Sequence, residues 1–553
     1  MRVKSVNQLV NEFITEEIKV RECPDSLYRI LTLLDEIKRS KSELAYIKLK
    51  KHCDVIDDKL FLALVETVQN CISINQEIIE NTNNIVIDEN LLNELKLLVS
   101  NIKAKSLGFY YDNKGKVKLN SNICISYLTM IAKFIKMNDV LMIYNKKEGI
   151  FEEASEELIG TILRYLINNA ISDSWKKSYE KDIIDGLIRE VPIVDTSNIN
   201  DELIAFNNGV YNIKTKQLLP HDYKYMFTSK SPIDYIEGAD CPVFKQAIKD
   251  IMCNDYELIS CVQEIFGNAL INNTKAERAF FFIGVGSNGK SFCSEILTEI
   301  IGMRNISNIQ LSKFSEKFGI EGIVSKKLNI ANENELGGAI STENLKALIS
   351  GDTVNISRKF KESINYKSTI KLIFLLNTLP DTLDNTHGYY RKILIVPFNR
   401  VFKPEEMDKK LKEKVCNELS GVLNWCLEGV DRLIQNDYIF TESKEIQKIT
   451  KAYKEEQNPV ETYLNEVLIY EEDSSESKKD ILDAYKDWLR YSVISAKGTD
   501  SPQRFWKALN NATKINLNKE LTYKKVKGII YLKNFRIDYS KLLVQDNKFI
   551  FRR

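Results

Sequence analysis

The sequence predicts a multidomain α/β protein. Three observations carry that expectation. Apolar residues recur at three- and four-residue spacing through the first fifth of the chain; a glycine-rich turn in mid-chain sits between a buried-strand pattern and an amphipathic helix; and the last stretch reads as two helices followed by two short strands. A chain of 553 residues is long enough for several domains, each with its own core.

Taken in order, SLYRILTLLDEIKRS and DDKLFLALVETVQNCISI repeat apolar residues with helical spacing and predict a helical N-terminal module over 1–108. FYYDNKG and MIYNKKEGIFEEA then change the texture to short strands joined by tight turns, with helices over 157–169 and 181–190. AFNNGVYNIKTKQLL adds further strands, with turns at Asn208-Gly209 and around Lys214 to Lys216. This gives a mixed α/β module over 109–235. Strands and helices alternate over 236–402, the expected core, and EEMDKKLKEKVCNELSGVLNWCLEGVDRLI continues as a helical extension over 403–455. A compact domain is expected over 456–553, with the charged stretch EEDSSESKKD at 471–480 as a surface loop.

Composition narrows the classes. Apolar residues make up 44% and charged residues 28%, as in soluble globular proteins. Seventy-eight basic residues face 77 acidic ones, so any surface for nucleic acid has to be local. The ten cysteines include no C-x-x-C pair, which speaks against a zinc ribbon or a disulfide framework and suits a reducing compartment. The start, MRVKSVNQLVNEF, is charged and amphipathic, unlike a signal peptide, and no run of about 18 apolar residues is present. A cytoplasmic protein with no membrane partner is expected.

The mid-chain turn is FFFIGVGSNGKSF. Gly284, Gly289, Lys290 and Ser291 fit the spacing GxxxxGKS. Glycines let successive backbone N–H groups turn toward one anion. Lys290 would reach the β- and γ-phosphates of ATP, and Ser291 would place its hydroxyl on Mg²⁺. RAFFFIG before the loop reads as a buried strand, and SFCSEILTEIIG after it as a helix whose N-terminus adds its dipole. The candidate nucleotide contacts are Gly284, Gly286, Ser287, Asn288, Gly289, Lys290, Ser291 and Phe292.

Three further segments follow at the spacing of an NTPase. KKLNIANENELGG predicts a short strand over 328–331 that delivers Glu333 and Glu335 beside the metal and the attacking water, with the division between the two acids left open. TIKLIFLLNTLPD is an apolar strand tipped by Asn377, either a contact to the γ-phosphate or attacking water or an ordinary cap of the turn. GYYRKILIVPF places Arg391 just before another strand, as a finger that neutralises the transferring phosphoryl group or as a surface residue.

In this order, GVGSNGKS, NIANENE, LISGDTVNISRKFK, LIFLLNTLPD and RKILIVPF resemble the superfamily 3 helicases of the AAA+ class. More closely, they resemble the phage and plasmid primase-helicase family, which includes the poxvirus primase-helicase and satellite-phage replication proteins. AFNNGVYNIKTKQL resembles the module that precedes the motor in that family, so the resemblance covers roughly 109–553. It implies an AAA+ P-loop core, a homo-oligomeric ring, usually hexameric, that encircles DNA, and ATP-driven movement in the 3′-to-5′ direction. By matching positions it gives Glu333 the acidic and metal-binding role, Asn377 the sensor role and Arg391 the finger role across a subunit boundary. Many relatives carry a second arginine where this chain has Lys392. The resemblance also implies a DNA-gripping hairpin, here TVNISRKFKESINYKSTIK, which carries Arg358, Lys359, Lys361, Lys367 and Lys371 against the single acid Glu362.

The end of the chain resembles a winged helix. Ile481, Leu482, Tyr485, Trp488 and Leu489 form one helix face, Ser501-Pro502 opens a second helix, and two strands alternate around Gly528. Residues 497–536 hold ten basic residues and two acids, the local positive surface that the whole-chain balance hides. Arg504 and Lys507, with Asn510 and Asn511, would face a major groove, and Lys524, Lys525 and Lys527 would sit on the wing, while Phe505, Trp506 and Leu509 pack the core. The three histidines stand in no metal-binding constellation with acids, so primer synthesis is not expected. The function expected is a replication-initiating helicase of a phage, plasmid or satellite island, working on single- and double-stranded DNA at an origin or fork in a bacterial host, with host primase or polymerase as further partners. The alternatives are an ATP-switched origin-binding loader without unwinding, and a primase-helicase with an unrecognised primase region.

Overall fold

The structure, a computed structural model, describes residues 104, 107–138, 140–194, 201–333, 342–359, 361–382, 387–492, 499 and 501–542. The helical module expected over 1–108 lies almost wholly outside them. The chain divides into two compact units, Met1–Lys230 and Ser231–Arg553, slightly before the boundary expected at 235.

The first unit opens with an antiparallel hairpin of β1 (Phe109–Tyr111) and β2 (Val117–Leu119). α1 (Ser121–Ile131) starts directly after it because the Asn120 side chain accepts the N–H groups of Asn122 and Ile123 at 3.1 and 3.3 Å. β3 (Phe134–Met137), β4 (Val140–Asn145) and β5 (Ile150–Glu153) form a meander. α2 (Glu156–Ala170) and α3 (Lys177–Glu190) follow, and β6 (Ile193–Val194) completes the sheet order β5-β4-β3-β6. The helices bury Leu128, Leu163, Ile167, Ile183 and Leu187 with Phe109, Leu119 and Ile143 in one core. β7 (Leu203–Phe206), β8 (Gly209–Asn212) and β9 (Gln217–Leu219) make a second meander. Its second turn stands where the sequence expects one, fixed by the Asn212 side chain, which accepts the N–H groups of Lys214 and Thr215 at 2.9 and 3.0 Å.

In the second unit, α4 (Pro242–Ile251) and α5 (Tyr256–Leu270) lead into β10 (Ala279–Ile283) and α6 (Lys290–Ile301). There follow β11 (Ile306–Ser307), β12 (Leu328–Glu333), α7 (Glu343–Ser350), the hairpin β13 (Thr353–Arg358) and β14 (Lys361–Lys367), β15 (Lys371–Leu376) and β16 (Ile393–Pro397). Five strands form one parallel sheet in the order β11-β12-β15-β10-β16. β10, β15 and β16 read AFFFI, KLIFLL and ILIVP because a parallel sheet covered on both faces buries almost every position, Ile283 alone among these being half-buried. One face packs on Phe314, Leu348 and Tyr389 through Phe281 and Phe374, whose rings meet edge-on at 5.8 Å. The edge strand β11 is only two residues long, and buried Asn329 clasps it. The Ser307 hydroxyl and the Ile309 N–H each donate to Asn329 Oδ1 at 2.8 Å, and Asn329 Nδ2 donates to the Ile309 carbonyl at 3.0 Å.

α8 (Leu411–Cys416), α9 (Leu419–Gln435) and α10 (Lys444–Gln457) form the helical extension. α9 crosses α5 so closely that a Cβ on Gly429 would stand 2.3 Å from the Gln263 carbonyl oxygen. Buried Glu264 is held there by Arg432 and by the N–H and hydroxyl of Thr441, each at 2.7 Å.

The C-terminal part consists of α11 (Pro459–Glu466), β17 (Leu468–Ser477), α12 (Lys478–Tyr491), α13 (Pro502–Leu517), β18 (Tyr523–Val526) and β19 (Ile529–Ile537). Its antiparallel sheet has three strands, in the order β17-β19-β18, where the sequence suggested two. Residues 471–480, expected as a surface loop, supply the second half of β17 and the first turn of α12. Backbone pairing with β19 holds this polar segment across a bulge between Tyr470 and Ser475, and Arg536 pairs with Glu471 at 2.7 Å. Tyr463, Ile481, Tyr485, Phe505, Leu509 and Leu532 form the core; Ile481, Tyr485, Phe505 and Leu509 come from the predicted helix faces, while Leu482 and Leu489 are only partly buried. Trp506 is half-buried, with the Lys478 ammonium 4.3 Å from its ring.

Candidate active site

The loop that leaves β10 is fastened to its neighbours before any ligand is considered. The Gly284 N–H donates to the Leu376 carbonyl at 3.2 Å, and the Phe402 N–H to the Ser287 carbonyl at 2.8 Å. Buried Asn288 donates through Nδ2 to the Phe398 carbonyl at 3.3 Å, tying the loop to the exit of β16. Gly289 begins α6 at φ +89°, where a Cβ would stand 2.6 Å from Ile251 Cγ1, so both angle and space demand glycine. Lys290, 6% exposed, donates to the Gly284 carbonyl at 2.5 Å and to Asn288 Oδ1 at 3.3 Å. Burial holds its pKa below the usual lysine value. Ser291 is exposed at the next position, and Phe292 turns its ring toward Phe244, 6.5 Å away. The N–H groups of Val285, Gly286, Ser287 and Gly289 donate to no acceptor among the described residues. With the first turn of α6 they make a set of donors suited to an anion.

The strand register sets what stands beside this loop. Glu333 pairs with Leu376, Leu376 with Ile283, and Ile283 with Pro397, so the last residues of β12, β15, β10 and β16 lie in one row. Gly284 and Asn377 are each one residue beyond that row, and Asn377 is exposed. β12 runs through Glu333 rather than ending near 331, which puts Glu333 on the strand end itself. Its side chain and all of Glu335 lie outside the described residues. The loop, the acid and the amide thus meet at the carboxyl end of a parallel sheet, where such sheets bind ligands.

Arg391 is exposed and lies at the other end of the sheet, two residues before β16. Strands of five residues separate the two edges by about 16 Å. Lys392 is buried, with its ammonium on Glu277 at 2.9 Å and on the Ser350 hydroxyl at 2.5 Å, which commits it to the fold. Two residues that the sequence did not single out anchor the segment after Asn377. The Tyr453 hydroxyl donates to the Pro380 carbonyl at 2.6 Å, and the Gln457 side chain accepts the Thr382 N–H at 3.1 Å. Both come from α10, more than 70 positions away, with no local signal.

The basic candidates separate into two groups. β13 and β14 form the expected hairpin, with Val354, Ile356, Ile364 and Tyr366 buried on one face. Lys359 is exposed at its turn and Arg358 is half-buried, with Nε donating to the Glu362 carbonyl at 3.1 Å; the Lys361 side chain lies outside the described residues. Lys371, counted with the hairpin in the sequence, is a correction: it is buried at the start of β15, with its ammonium on the carbonyls of Asn273 and Thr369. At the C-terminal end, Arg504, Lys507, Asn511, Lys524, Lys525 and Lys527 are exposed, whereas Asn510 is half-buried and accepts the Leu521 N–H at 3.4 Å. The turn Lys527-Gly528 is flanked by exposed Val526 and Ile529. His221 is structural, with Nε2 3.3 Å from the Asn207 carbonyl and a pKa lowered by burial. The side chain of His387 and all of His52 lie outside the described residues.

Comparison with known proteins bears on both units. A family profile described as "D5 N terminal like" matches residues 126–253, and one described as "Family of unknown function (DUF5906)" matches residues 282–392. A protein of Acanthamoeba polyphaga mimivirus named "Putative helicase L207/L206" is 25% identical over 290 residues, 49% of this chain and 28% of that protein. "Putative helicase 184R" of Invertebrate iridescent virus 6 is 24% identical over 331 residues, 54% of this chain and 30% of that protein. A protein of African swine fever virus (strain Badajoz 1971 Vero-adapted) named as a "Putative primase" is 19% identical over 389 residues, 64% of this chain and 39% of that protein. The matches therefore span well under half the length of these relatives. Among solved structures, the A form apo structure of the NrS-1 C terminal region is 15% identical, with a TM-score of 0.44 over 74% of this chain and 98% of that one. No helix among the described residues is long and apolar enough to cross a membrane. With a D5-type profile over residues 126–253 and these relatives, the chain is similar to viral proteins named as putative helicases and primases.

Proposed function

We propose that this chain is an ATP-driven DNA helicase of the superfamily 3, AAA+ type, working in replication of a phage, plasmid or satellite island. The observation that carries the reading is the shared row at the carboxyl edge of the sheet, where the Gly284–Ser291 loop, Glu333 and Asn377 meet. The loop's N–H groups and Lys290 would hold the phosphates of ATP. Burial lowers the Lys290 pKa, and a phosphate beside it would raise it again. Ser291 and Glu333 would hold Mg²⁺, which neutralises charge on the β- and γ-phosphates. Asn377 would orient the γ-phosphate or the attacking water, on a segment fixed by Tyr453 and Gln457. Glu335 is the second candidate acid.

Arg391 lies about 16 Å from this edge, too far to serve the same site, so its place as a finger is in the site of a neighbouring copy. That requires a homo-oligomer, for which we propose a hexameric ring around DNA. The β13–β14 hairpin, with Arg358, Lys359 and Lys361, would grip phosphates of the encircled strand and carry it 3′-to-5′. The C-terminal helices and three-stranded sheet are read as a winged helix, with Arg504 and Lys507 on one helix and Lys524, Lys525 and Lys527 on the wing, binding duplex at an origin.

An ATP-switched loader without unwinding would share the same nucleotide site; the exposed basic turn of the hairpin favours translocation. The test is DNA-stimulated ATP hydrolysis. Lys290→Ala should lower turnover about 100-fold or more; turnover at the wild-type rate in that variant would remove the nucleotide site from this loop.

A further inference from the structure

We propose that the β1–β2 hairpin of the first unit is a binding site for single-stranded DNA, with Tyr110 and Tyr111 stacking on bases and Lys114, Lys116 and Lys118 meeting phosphates. Phe109 and Leu119, which pair with each other, are buried and fix the base of the hairpin in the core. Beyond them the character reverses. Tyr110 is 48% exposed and Tyr111 76% exposed, on opposite faces of the strand. Neither ring makes an aromatic or cation–π contact among the described residues, and Lys118 stands opposite Tyr110 in the register. Two adjacent tyrosines left in water on a rigid hairpin are unusual unless something covers them.

The charges on the same hairpin indicate what would cover them. Asp112 is the only acid between Phe109 and Leu119, and its carboxylate is used within the turn. Oδ1 accepts the N–H groups of Lys114 and Lys116, each at 2.9 Å, and Oδ2 lies 3.4 Å from the Lys118 ammonium. These contacts, the two backbone N–H groups first, hold its carboxyl below the usual carboxylate range. Lys114 and Lys116 are exposed and have no acidic partner among the described residues. A stiff turn therefore presents three lysines beside two uncovered aromatic rings. An unpaired strand offers both matching features, free base faces and closely spaced phosphates, whereas a duplex keeps its base faces stacked.

Binding at this hairpin would need neither the nucleotide loop nor ATP. The test uses the full chain without nucleotide and a fluorescent oligothymidylate. Tyr110→Ala with Tyr111→Ala should weaken binding about tenfold or more, and Tyr110→Phe with Tyr111→Phe should restore it, because stacking needs the ring and not the hydroxyl. Lys114→Ala, Lys116→Ala and Lys118→Ala together should reduce the slope of log affinity against log salt by about 2. Photocrosslinking to 5-iodouracil DNA should give an adduct at Tyr110 or Tyr111. Wild-type affinity in both sets of variants, with adducts only elsewhere, would overturn the proposal. So would a change of oligomeric state at unchanged DNA affinity, which would mark the hairpin as a protein contact. Loss of DNA binding in the hairpin variants while Lys290→Ala still hydrolyses ATP would sustain this site and remove the motor reading; the reverse pattern would do the opposite.

Discussion

Asn329 makes three hydrogen bonds across the edge of the central sheet, all buried. Asn329→Leu keeps the volume but strands the Ser307 hydroxyl and both backbone groups of Ile309. It should destabilise the fold by about 3 kcal/mol in urea titration; a loss under about 1 kcal/mol would show that β11 is not held by this clasp. Lys327 stands just before β12 and Lys371 begins the adjacent β15, and desolvation pushes both pKa values down to about 7, with Lys327 adding repulsion at Lys371. In the unfolded chain both would stay protonated up to about 10.5. Between these values the unfolded state binds more protons, so stability should rise with pH from about 7 toward 10. Lys327→Met with Lys371→Met should flatten that rise; an equal slope in the variant would place its origin elsewhere. Residues of this kind are hard to read from sequence. Lys371 looks like one more basic residue of the hairpin, and only its burial and the carbonyl of Asn273, brought to it by folding, show that it is structural.

At the scale of elements, legibility follows how local the signal is. The loop between β10 and α6, the hairpin β13–β14 and the helix faces of α12 and α13 are all written in period and turn chemistry, and they stand close to where the sequence puts them. β17 is not, since EEDSSES has no apolar alternation and becomes a strand only by pairing with β19, some sixty positions later. The same holds for the site. The row shared by Glu333 and Ile283 follows from strand register, whereas the grip of α10 on Pro380 and Thr382 is a long-range contact with no local trace. The hairpin carries its own prediction. Lys359→Ala with Lys361→Ala should keep basal ATP hydrolysis and lose its stimulation by DNA, because a hairpin remote in sequence from the loop contributes grip and not chemistry. Full stimulation in that variant would remove the hairpin from the DNA path.

For the whole molecule, the decisive geometry is the separation of Arg391 from the loop across the sheet. If each site is completed by its neighbour, Arg391→Ala and Lys290→Ala should each be inactive alone, and mixing them should restore part of the ATP turnover, since some interfaces then pair an intact loop with an intact finger. Mixtures as inactive as either variant, under conditions where subunits exchange, would contradict a shared site. The most direct measurement of the central claim is ATP-dependent separation of forked DNA bearing either a 3′ or a 5′ single-stranded tail, with Lys290→Ala as control. Strand separation from the 3′-tailed fork, lost in the Lys290→Ala variant, is the result predicted for a translocating motor. ATP hydrolysis without strand separation on either fork would contradict it.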